Sequence, residues 1–98
     1  MKLKEGNVLY VRTDYKIGEE QETEQDGMDS FNYLQAVAKE RYLVAGVFGD
    51  MELGVIDGAM VLFEAKDLEE AKKISDEDPI ISKGLYRYEL RKWNIMLS

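Results

Sequence analysis

The chain has 98 residues, enough for one domain, and it combines a net charge of −7 with 45% apolar residues and no histidine or cysteine. The charge argues against nucleic-acid and anionic-membrane partners, which are held by lysine and arginine. The two missing residue types exclude disulfides, thiol chemistry, Cys/His zinc sites, His-based dyads and triads, and His-ligated haem. No apolar run approaches the roughly 20 residues that span a bilayer. The opening "MKLKEGNVLY" has no apolar stretch behind its basic residues, so it does not read as a secretory signal. The expected location is cytoplasmic.

Residues 7–15, "NVLYVRTDY", read as a strand with Val8, Tyr10 and Arg12 on one face and Leu9 and Val11 on the other. The polar stretch 16–27, "KIGEEQETEQDG", reads as a loop, either a solvated connection or a lid over a pocket. In 28–40, Phe31, Leu34 and Ala38 recur at helical spacing, with Asp29 or Ser30 as the cap. The apolar run 41–48, "RYLVAGVF", predicts a strand covered on both faces. The segment 49–58 predicts a hairpin turn. Its acids Asp50, Glu52 and Asp57 lack the spacing of a calcium loop, so no metal is expected. A third strand follows at 59–65 and a second helix at 67–75, capped by Asp67 and burying Leu68, Ala71 and Ile74. The last strand, 85–96, places Tyr86, Tyr88 and Leu90 together, with a bulge or twist expected near Lys92.

The order β-α-β-β-α-β predicts one α+β domain of ferredoxin-like type over residues 1–98, core 7–95, with a four-stranded antiparallel sheet and both helices on one face. The other face keeps apolar side chains that so small a chain cannot cover. A homodimer through that face is the expected partner arrangement.

"DPIISKG", 78–84, reads as a one-turn helix: Asp78 caps it, Pro79 takes its first position and Gly84 stops it. The same stretch carries a resemblance. "YLQAVAKERYLVAGVFGD" followed by "VLFEAKDLEEAKKISDEDPIISKGLYRYELRKWNI" resembles the YciI-like (YCII-related) family over nearly the whole chain. The resemblance implies a dimeric α/β barrel. It also implies kinship with proteins mostly of unknown function, a few of them cofactor-free dehydrochlorinases of chlorinated aromatics. The wider superfamily includes muconolactone isomerases and cofactor-free monooxygenases. Many members carry a histidine early in the first helix, thought to form a proton-transfer dyad with an aspartate. Here Ser30 stands at that position, or Asp29 if the gap falls elsewhere, and Val47 and Lys92 replace common prolines. A serine hydroxyl is no base near neutral pH.

Three readings follow. The first is a protein that binds a small metabolite in a pocket between sheet and helices, and the missing imidazole favours it over turnover. The second is a cofactor-free lyase or isomerase with Asp78 as base. In both, Tyr10, Arg12 and Ser30 surround the ligand, although Tyr10 also suits the core and Arg12 the surface. The third is a structural dimer with no open pocket.

Overall fold

The computed structural model describes residues 3–19 and 22–97. Its elements are β1 (Val8–Lys16), α1 (Glu24–Ala38), β2 (Leu43–Asp50), β3 (Val55–Ala65), α2 (Leu68–Asp76), α3 (Pro79–Ser82) and β4 (Tyr86–Trp93). The strands form one sheet in the order β2-β3-β1-β4, and every neighbouring pair is antiparallel. This is the expected ferredoxin-like arrangement, with the Asp-Pro turn forming the short third helix.

The two-residue period of a strand sends Val8, Tyr10, Arg12 and Asp14 to the helix-covered face. The apolar end of that face makes the core: Tyr10, Val61, Phe63, Ala65 and Ala71 are buried, with Leu34, Leu43, Ile74 and Leu90 packed against them. On the opposite face Glu64 is buried as well. Its carboxylate accepts from the backbone N–H of Tyr42 (2.8 Å), the backbone N–H of Lys4 (3.1 Å) and the Asn7 amide (3.2 Å), tying the turn before β1 and the segment before β2 to β3.

Four expectations are corrected. The first helix starts at Glu24 rather than Met28, because Thr23 and Asp26 form a capping box: Thr23 Oγ1 accepts from the Asp26 N–H (3.1 Å) and the Asp26 carboxylate from the Thr23 N–H (2.9 Å). Part of the acidic stretch expected to be loop is therefore helix, and residues 20 and 21 of it lie outside the described residues. In the second helix, Ala71 is buried but Leu68 is half exposed. β2 is an edge strand and is exposed along most of its length, because α1 stands off from it and buries none of its own residues.

The fourth correction concerns the bulge. β4 pairs with β1 in unbroken register past Lys92, and the irregularity lies instead between Phe48 and Gly49. Gly49 has φ 119°, and a Cβ there would collide with the Val55 carbonyl. In the following turn Asp50 Oδ1 accepts from the Glu52 (2.9 Å) and Leu53 (3.1 Å) N–H groups.

Candidate functional site

Local rules explain how Asp78 comes to its position. Its Oδ1 accepts from the Ile80 N–H (3.1 Å), Pro79 occupies the first turn, and Gly84 leaves the helix at φ 75°. The cap consumes one carboxylate oxygen. The other accepts from Arg12 Nη2 at 2.9 Å. Arg12 in turn donates to Asp14 through Nε (2.8 Å) and Nη2 (2.7 Å), in the side-on geometry that suits a guanidinium and a carboxylate.

Arg12, Asp14 and Asp78 are 1%, 3% and 0% exposed. Arg12 is thus no surface charge. It lies on a central strand facing the helices, and burial of its charge is sustained by two carboxylates. Burial pushes the Asp14 carboxyl above the ordinary range, against the pull of Arg12. For Arg12, burial works against the charged form, but the hydrogen bonds and charges of the two aspartates outweigh it and raise its pKa.

A cavity of about 240 Å³ lies beside this cluster, between α1 and the sheet. Helical spacing turns Gly27, Ser30, Phe31 and Leu34 toward it, and small residues on the strands, Ala45, Gly58 and Ala59, leave room beneath. Gly58 also has to be small: a Cβ there would come within 3.0 Å of the Asp14 carbonyl oxygen. Most of the wall is apolar. Its polar groups are Arg12, Asp14, Ser30, Glu22 and Tyr86. The Tyr86 hydroxyl donates to Glu22 at 2.9 Å, and burial followed by that bond pushes its pKa up to about 12.

Of the residues singled out in the sequence, Arg12 and Ser30 line the cavity. Asp78 contacts Arg12 but is not among the lining residues, and its carboxylate is engaged by the cap and the ion pair. Tyr10 sits in the core against Phe63, ring centroids 6.4 Å apart, and not in the cavity wall. Asp14, Glu22 and Tyr86 were not anticipated. Asp14 had a signal: on a strand, residues 12 and 14 share a face, so an Arg-x-Asp on the core side implies a buried pair. The Glu22–Tyr86 contact joins residues 64 apart and has no local signature.

Fold and site together define a small ferredoxin-like domain whose helix-covered face holds a cavity of about 240 Å³ beside a buried Asp–Arg–Asp cluster. The chain belongs to the YCII-related domain family, whose model matches residues 8–94. No curated protein matches it. Among solved structures it is similar to the 5-chloro-2-hydroxyhydroquinone dehydrochlorinase TftG of Burkholderia phenoliruptrix AC1100, in complex with 2,5-dihydroxybenzoquinone. That similarity has a TM-score of 0.60 and 16% identity and covers 88% of this chain and 93% of that chain, a likeness of fold. Among the described residues no helix is long and apolar enough to cross a membrane.

Proposed function

We propose that this protein binds a small metabolite, of about one ring in size, in the cavity between α1 and the sheet. The observation that carries the reading is the cavity itself: about 240 Å³, largely apolar, with its few polar groups contributed by five residues of β1, β4, α1 and the segment before α1. Binding sites have this composition, and pockets for drug-sized molecules are larger, roughly 300–1,000 Å³. It also weighs against a purely structural domain with a filled interior.

A cofactor-free lyase is the second reading. The fold neighbour's printed activity favours it, as does a buried carboxyl, Asp14, in the cavity wall. The base in that reading is Asp14 rather than Asp78, because Asp14 lines the cavity and Asp78 does not.

The working form in either reading is a homodimer through the outer sheet face, where Val11, Met60, Leu62 and Trp93 line an open groove.

The test is a thermal-shift screen of single-ring hydroxyaromatics and lactones against the wild type and Ala45→Phe, a cavity-filling variant. A ligand at 100 times its Kd raises stability by about 2.7 kcal/mol. Stabilisation of the wild type that the variant loses supports the reading. Equal stabilisation of both places binding elsewhere.

A further inference from the structure

The cavity's charge is unbalanced, and the imbalance restricts what it can hold. Two carboxylates line it, Asp14 and Glu22, and Asp78 stands directly behind. Among the described residues that line it, Arg12 is the one cation. That cation is matched twice over, by Asp14 at 2.7 Å and Asp78 at 2.9 Å through Nε and Nη2, so the cluster keeps a net negative charge although Nη1 takes no part in these bonds. The nearest helix adds no cation either: Lys83 bridges α3 to α1 outside the cavity and is occupied by Asp26 (3.2 Å) and Asp29 (3.3 Å). The Tyr86 hydroxyl spends its proton on Glu22.

The wall therefore carries a net negative charge, with acceptors on Asp14 and Glu22 beside the donors of Ser30 and Arg12 Nη1. Asp14 takes one hydrogen bond from Arg12 on each oxygen, while a carboxylate has about four lone-pair sites, so each oxygen keeps one for a ligand. Placing another carboxylate beside them sets like charges together, next to a largely apolar wall that screens them less than bulk water does.

Resting on the binding role proposed above, we infer that the cavity selects uncharged hydroxyl-bearing or positively charged ring compounds, with Asp14 accepting their hydrogen bond, and rejects carboxylates. Binding selectivity here comes from the protein's surplus of carboxylates, and shape alone does not supply it. Discrimination of this kind resides largely in the unfavourable partner, through unmatched charge.

The experiment is a calorimetric or NMR titration of the wild type at neutral pH with four probes of similar size: catechol, benzylamine, benzoate and anisole. Catechol and benzylamine are expected to bind at least tenfold more tightly than benzoate, and catechol more tightly than anisole, which has no donor. Glu22→Gln, which leaves the Arg12 cluster untouched, narrows the gap between benzylamine and benzoate. Asp14→Asn removes most of the preference for benzylamine; because that variant disturbs a buried pair, the ranking on the wild type alone is decisive.

Benzoate binding as tightly as benzylamine, in a manner blocked by Ala45→Phe, overturns the charge selection while leaving the cavity as a binding site. Failure of all four probes to bind, or binding that Ala45→Phe does not affect, overturns both.

Discussion

Arg12 is the residue on which the interior depends most. One guanidinium neutralises two carboxylates that are almost wholly out of water, and one of these also starts α3. Removing one partner of a buried pair leaves an uncompensated charge, at about 3–5 kcal/mol. Arg12→Met should therefore lose about that much in urea unfolding. Asp78→Asn should lose less, about 1–3 kcal/mol, since asparagine still caps a helix and only the charge-assisted bond weakens. The reverse order would mean that the cap, and not the ion pair, holds this region.

The acids in this fold also pull stability in opposite directions as pH changes. Asp14 has its pKa raised by burial, so the folded state holds its proton more tightly than the unfolded one. Its contribution favours folding at low pH and is lost as pH rises above the ordinary aspartate value of 3.8. Glu64 is the opposite case. Burial resists its ionisation, but the Tyr42 and Lys4 N–H groups and the Asn7 amide outweigh that and lower its pKa. Its contribution is full above the ordinary value of 4.5 and is lost as pH falls through the lowered one. Glu64→Gln should cost about 1–3 kcal/mol at neutral pH and flatten the acid limb of the stability profile. An unchanged acid limb in urea titrations would assign that limb to other carboxylates. Glu64 sits in "VLFEA", where a lone acid in an apolar strand is visible in the sequence. Its three donors come from other segments and are not.

Among the elements, those with strong local chemistry were legible and those shaped by neighbours were not. Asp67 and Asp78 each announce a helix start, and both cap as their spacing implies. α1 begins four residues before the expected start at Met28: "TEQD" has the composition of an acidic loop but the spacing of a capping box. Acidic residues in a first turn also favour the helix dipole. Thr23→Ala should lower stability by about 1 kcal/mol, measurable by thermal unfolding. The apolar composition of β2 suggested burial, but its edge position and the cavity beneath α1 leave it exposed; composition does not report position in a sheet. The same is true of its bulge. Only the positive φ and the Val55 carbonyl reveal that Gly49 has no substitute, and Gly49→Ala should cost roughly 1–2 kcal/mol for the backbone conformation alone, before the collision.

At the scale of the whole molecule, helices cover one side of the sheet and leave the other with half-exposed Val44, Met60 and Trp93. A second copy laid on that face is the arrangement proposed above. Sedimentation should show a dimer for the wild type and a monomer for Met60→Glu with an unchanged fold; a monomeric wild type would remove the dimer from the account. The fold was readable because element order and family motif agree. The cavity was not, because it exists only where residues from four strands and two helices surround a space that none of them fills.

The most direct test of the central claim is a two-dimensional NMR titration of the wild type with catechol. The account predicts shifts concentrated at Gly27, Ser30, Leu34, Ala45 and Ala59, around the cavity. Shifts confined to Val11, Met60 and Trp93 on the outer face, or no shifts at saturating probe, would contradict it.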